Sequence, residues 1–71
     1  MRSYVVVIER AAHNYSAYSP DVPGCVSTGG TVEETVARFQ EALQFHFVGM
    51  LEDGLPIPEP TSEVSRVPIN I

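Results

Sequence analysis

Between Thr31 and Gly54 the sequence carries one long helical signal, and the rest of the chain must fold around it. Thr31-Val-Glu-Glu34 has the form of a capping box. In such a box the Thr31 hydroxyl accepts from the Glu34 backbone N–H and the Glu34 carboxylate reaches back. Glu33 and Glu34 also suit the positive end of a helix. Val32, Val36, Phe39, Leu43, Phe47 and Met50 recur at helical spacing and predict a core-facing stripe. Asp53-Gly54 closes the segment, with Gly54 in the left-handed position that follows a helix. Gly49 costs about 1 kcal/mol relative to alanine inside a helix. It is expected either to admit another backbone or to break the helix in two.

The flanking segments read as strands. Ser3 to Glu9 is β-branched and aromatic, with Tyr4, Val6 and Ile8 on one face and Val5 and Val7 on the other. Tyr15 to Ser19 and Cys25 to Thr28 follow as short strands. They are joined by a rigid connection, Pro20-Asp21-Val22-Pro23-Gly24, and closed by Gly29-Gly30. Residues 56–60 (Pro56-Ile57-Pro58-Glu59-Pro60) form a stiff extended link. It leads to a last strand, Ser65 to Ile71, in which Pro68 suits a sheet edge. The expected fold is α+β in the order β-β-β-α-β, one antiparallel-rich sheet with one long helix on one face. Residues 1–71 make a single domain. One helix covers one sheet face, so Val5 and Val7 need another cover, and a second subunit is the expected one.

Composition narrows the function classes. With 71 residues the chain is near the size at which domains need a staple. One cysteine excludes an internal disulfide, and Cys25 with two separated histidines is too few for a four-ligand zinc site. No cofactor is implied. The net charge is −5, from nine carboxylates against four arginines. Arg2, Arg10, Arg38 and Arg66 are scattered, which disfavours direct nucleic-acid binding. An acidic chain is instead drawn to a basic partner. No apolar run approaches the ~20 residues of a membrane span, and a cytoplasmic location is expected.

Three motifs resemble one family. Tyr18-Ser-Pro-Asp-Val-Pro-Gly-Cys-Val-Ser-Thr-Gly-Gly-Thr-Val-Glu-Glu34 is similar to the HicB-like pattern of a strand, Pro-Asp-Leu-Pro-Gly-Cys, then Gly-Asp-Thr-x-Glu-Glu. Glu41 to Gly49 resembles that family's helix end, and Leu51 to Pro60 its exit through Gly and Pro-x-Pro. Pro20, Asp21, Pro23, Gly24, Gly30, Thr31, Glu34, Gly54, Pro56 and Pro58 are the motif positions, read as structural. Gly30 stands where the pattern has Asp. The resemblance implies a degenerate, partial RNase H-like fold that forms homodimers or homotetramers. It implies an antitoxin that blocks a small basic mRNA interferase, HicA, by protein–protein contact. Many members add a DNA-binding domain. This sequence reaches Ile71 at its last strand, so a short form without that domain is expected. The alternative is an orphan HicB-like interaction domain with another partner.

No enzyme is expected. An RNase H-like fold invites a search for clustered acids, with Glu9 at a strand end and Asp21 in a loop, but Glu34, Glu41 and Glu52 fall opposite the core stripe and cannot converge with Glu9. Cys25 reads as buried, with Asp21 nearby to discourage a thiolate. His46 reads as a packed side chain and His13 as a turn residue. The pair Gly29-Gly30 reads as a turn before a cap rather than an anion site. Phe45 and Val48 project away from the core stripe, beside Glu41 and Gln44, and are expected to meet another chain, with Gly49 allowing close approach. Of Tyr15 and Tyr18, one is expected to be accessible at an interface.

Overall fold

The computed structural model of the chain describes residues 2–71. Val7–Arg10 (β1), Tyr15–Ser19 (β2) and Val22–Gly29 (β3) form an open antiparallel sheet in the order β1-β2-β3. Val32–Glu52 (α1) follows and packs on one face, mainly over β3. The expected single sheet with one long helix holds through these elements. Ser65 to Ile71 differs from expectation. The segment is exposed throughout and, among the described residues, pairs with no strand.

Local chemistry sets both ends of α1. Thr31 Oγ1 accepts from the Glu34 N–H at 3.1 Å. The Glu34 carboxylate reaches one residue past Thr31 and accepts from the Gly30 N–H at 3.0 Å. At the other end Gly54 has φ 71°. Its N–H donates to the Leu51 carbonyl at 3.1 Å and the Leu55 N–H to the Met50 carbonyl at 2.9 Å. These are the two bonds of a Schellman motif, and they satisfy carbonyls the helix leaves open. The helix runs unbroken through Gly49, and among the described residues nothing beyond its own turn of helix lies within 4 Å of where its Cβ would stand.

The predicted stripe holds at Phe39, Leu43 and Phe47 and differs in the first turn, where Thr35 replaces Val32 and Val36. Thr35 and Phe39 are fully buried, whereas Val32 and Val36 remain 40% and 39% exposed. Gly29 is the cause. A Cβ there would lie 2.7 Å from Thr35 Oγ1 and 3.0 Å from the Thr35 nitrogen. The missing side chain lets the first turn roll Thr35 onto β3. Thr35 is polar but satisfied: its hydroxyl donates to the Thr31 carbonyl at 2.6 Å, and its carbonyl accepts from the Ser27 hydroxyl at 2.9 Å. Gly29→Ala is therefore expected to cost about 1–3 kcal/mol, the range for overpacking. Gly30→Ala meets only Glu34 Oε1 at 3.9 Å and should cost little. Urea midpoints of the two variants measure the difference, and equal midpoints would contradict the close approach.

Two strand boundaries also move. The β1 ladder starts at Val7 rather than Ser3, although Tyr4 and Val6 still pack against the core. β3 starts at Val22, not Cys25, so only Pro20-Asp21 makes the turn. Ser19 pairs with Val22 and Tyr18 with Val26, leaving Pro23, Gly24 and Cys25 as a bulge. Gly24 carries that bulge at φ 85°, and Pro23 sits where no ladder N–H is needed.

The core is small: Ala17, Val22, Cys25 and Phe39, ringed by partly buried Tyr4, Val6, Ile8, Ala42, Leu43 and Phe47. It lies wholly on the helix side of the sheet. Val7, Tyr18 and Val26 face one another across the ladder on the other side. There Val5 and Val7 are half-buried, Tyr18 is exposed and Val26 is 68% exposed.

Candidate protein-interaction surfaces

Asp21, in the β2–β3 turn, holds a segment 40 residues away. Its Oδ2 accepts from the backbone N–H groups of Thr61 at 3.1 Å and Ser62 at 3.0 Å. Its Oδ1 accepts from the Thr61 hydroxyl at 3.0 Å and the Ser62 hydroxyl at 2.8 Å. Upstream, the Tyr4 hydroxyl donates to the Pro58 carbonyl at 2.6 Å and Arg2 pairs with Glu59 at 3.3 Å. The link 56–60 thus crosses the end of the sheet from the β1 side and is clamped at the β2–β3 turn. The sequence marks Asp21 as a motif residue but contains no sign of its partners.

The clamp lowers the Asp21 pKa: the Ser62 N–H acts most strongly, burial opposes it, and the Ser62 hydroxyl and the two Thr61 donors add to the lowering. A lowered folded pKa contributes stability above the ordinary carboxylate range. That stability is lost as pH falls through the folded value. Exchange protection of the Thr61 and Ser62 amides is expected at neutral pH and should fade on acidification below about pH 4. Asp21→Ala should abolish it at every pH. Protection unchanged by acid or by the substitution would mean the carboxylate does not hold the segment.

The outer face of α1 is the other built surface. Phe45 is 81% exposed and Val48 is 44% exposed. With Ala37, Gln40, Glu41 and Gln44 they line a shallow open groove. Glu41 and Glu52 lie on the same face at i−4 and i+7 from Phe45, so an apolar centre is rimmed by carboxylates. Gly49 beside it is half-buried and unobstructed. Tyr18 is the accessible tyrosine, and Tyr15 is half-buried against the helix side.

The residues considered for catalysis are apart or engaged. Among the described residues no three or more His, Cys, Asp or Glu side chains gather where they could hold a metal. Both Asp21 oxygens serve the clamp. Cys25 is buried, and desolvation pushes its thiol up, away from the thiolate a nucleophile needs. His46 packs beside the Phe47 ring, centroids 6.2 Å apart. The Gly30 N–H that could have met an anion is already held by Glu34.

The chain is similar to several proteins. The family described as HicB-like antitoxin of bacterial toxin–antitoxin system matches residues 4–68. An uncharacterized 14.9 kDa protein of the rep-hol intergenic region of Haemophilus phage HP1 is 43% identical over 56 residues, which are 79% of this chain and 42% of that protein. The UPF0150 protein ssr1765 of Synechocystis is 29% identical over 58 residues, 80% of this chain and 73% of that one. This chain therefore spans less than half the length of the phage relative. Among solved structures, a chain of the HicA3 and HicB3 toxin–antitoxin complex superposes with a TM-score of 0.72 at 27% identity, covering 84% of this chain and 70% of that chain.

Proposed function

The chain belongs to the HicB-like antitoxin family, and from that premise we propose that it neutralises a small basic HicA-type toxin by covering it. The observation that carries the reading is the likeness to a chain of a toxin–antitoxin complex at a TM-score of 0.72. The role is binding rather than catalysis. The outer face of α1 supplies a fitting surface, with exposed Phe45 and Val48 as apolar anchors and Glu41 and Glu52 as an acidic rim. An mRNA interferase binds RNA through basic groups, so an acidic lid on those groups excludes the substrate. A large apolar side chain at the centre of such a patch is the usual source of binding energy.

The test is to look for a small basic dsRNA-binding-like protein encoded beside this chain and to co-express the two; the lack of such a neighbour would count against the reading. Growth arrest by that protein alone, relieved by this chain, together with a stable complex on size exclusion, is the expected result. Arrest that persists despite soluble, folded chain would overturn the reading.

A further inference from the structure

We propose that residues 57–62 are a strap latched by the Asp21 carboxylate: protonating that one group frees the whole strap and withdraws Ile57 from the groove between the β1 side and α1, while sheet and helix stay folded. The strap begins just beyond the Schellman motif at Gly54 and ends at the clamp. Pro58 and Pro60 within it, and Pro56 before it, stiffen the segment and remove backbone donors. Among the described residues no backbone group of 57–60 bonds to another backbone group. Three side-chain tethers and the packing of Ile57 therefore hold the strap down.

The tethers are unequal. Arg2 and Glu59 meet at 3.3 Å, but their side chains are 47% and 70% exposed, and an exposed ion pair contributes little. The Tyr4 hydroxyl gives the Pro58 carbonyl one neutral bond. Asp21 accepts four bonds on a charged group, and such bonds are stronger than neutral ones. Removing its charge takes away most of what fastens the strap. A stiff segment freed at one end swings as a unit, and Ile57 is the only large apolar side chain left to seat it.

The strap closes one side of an apolar groove. Ile57 forms part of its wall, with Val6, Leu43 and Phe47 among the others. Tyr4 joins strap to helix, its ring centroid 5.2 Å from that of Phe47 and its hydroxyl on Pro58. Release opens Leu43 and Phe47 to water on that side. The rest of the fold does not depend on the strap. The core of Ala17, Val22, Cys25 and Phe39 contains no strap residue, and α1 is capped within its own sequence. The charged groups on the pieces that meet near the latch are Glu59 on the strap, Glu63 after it, Arg2 before β1, and Glu52 and Asp53 at the end of α1. None of them perturbs Asp21, whose pKa is lowered foremost by Ser62, raised by burial and lowered further by Thr61. The latch thus titrates as a single group. It is closed above the ordinary carboxylate range and opens as pH falls through the lowered folded value. The proposal stands apart from the toxin reading, since Phe45 does not line this groove.

Backbone order parameters from ¹⁵N relaxation on the full chain test it. At neutral pH the Ile57 and Glu59 amides are expected near the rigid value of about 0.85. Asp21→Asn keeps the shape and removes the charge. It should drop both amides below about 0.6 at the same pH, with the α1 amides unchanged. The unaltered chain should show the same drop on acidification below about pH 4. Glu59→Gln at neutral pH should leave the strap rigid, which separates the latch from the ion pair that acid also breaks. An Asp21→Asn strap still rigid at Ile57, mobility confined to Thr61 and Ser62, an unaltered chain that stays rigid in acid, or a Glu59→Gln strap as mobile as the Asp21→Asn one would overturn the proposal. Should acid or Asp21→Asn unfold the chain, Thr61→Val combined with Ser62→Ala decides at neutral pH. The pair deletes both hydroxyl donors and should lower the Ile57 order parameter, and an unchanged value would overturn the latch.

Discussion

Phe39→Ala is expected to leave the chain largely unfolded at 37 °C. Phe39 is the largest fully buried side chain, at 0% exposure, and it joins α1 to Ala17, Val22 and Cys25 beneath it. Truncating a buried phenylalanine costs about 3–5 kcal/mol, from lost transfer energy plus the cavity left behind. A chain of 71 residues has only about 4–10 kcal/mol of total stability. The core has few other members, and no disulfide braces it. Phe45→Ala on the same helix is the control. Phe45 is 81% exposed, so its truncation should stay within about 0.5 kcal/mol. Urea unfolding at one fixed protein concentration measures both, which keeps any association constant. A Phe39→Ala loss below about 1 kcal/mol would mean the core collapses around the gap, contrary to a sheet and helix held by their caps and ladder.

What was readable in the sequence divides by the range of the interaction. The cap at Thr31 and the Schellman motif at Gly54 were legible because each closes within a few residues, and their donors and acceptors belong to a fixed local pattern. The exposed phase of Phe45 and Val48 was legible for the same reason, since helical periodicity is local. Val32 and Val36 misled because periodicity assigns apolar residues to the core without knowing what they meet. The missing side chain of Gly29 drew Thr35 inward instead. Pro23 and Gly24 look like a loop, yet a bulge uses both residue types inside a strand. Residues 65–71 have strand chemistry, but propensity does not supply a partner strand, and among the described residues they pair with none. The Asp21 clamp was illegible in principle. Two of its donors are backbone N–H groups that every residue except proline carries, and they arrive from 40 positions away.

Phe45→Glu is expected to remove the proposed toxin neutralisation while leaving the chain folded. The side chain is exposed, glutamate is a good helix former, and the substitution breaks no buried contact, so unfolding should shift by no more than about 0.5 kcal/mol. At the interface the arithmetic differs. A central aromatic anchor contributes about 2 kcal/mol or more, which is roughly 30-fold in Kd. Burying a carboxylate in its place adds a desolvation cost. The acidic rim should behave in another way. Neutralising Glu41 and Glu52 together, as Gln, should slow association and flatten its salt dependence with little change in dissociation, because rim charges steer encounter more than they hold the complex. Association and dissociation rates measured at two salt concentrations separate the two effects, and growth rescue reports the consequence in cells. If Phe45→Glu bound the toxin as tightly as the unaltered chain, the toxin would have to sit elsewhere, and the uncovered sheet face around Val26 would become the surface to substitute next.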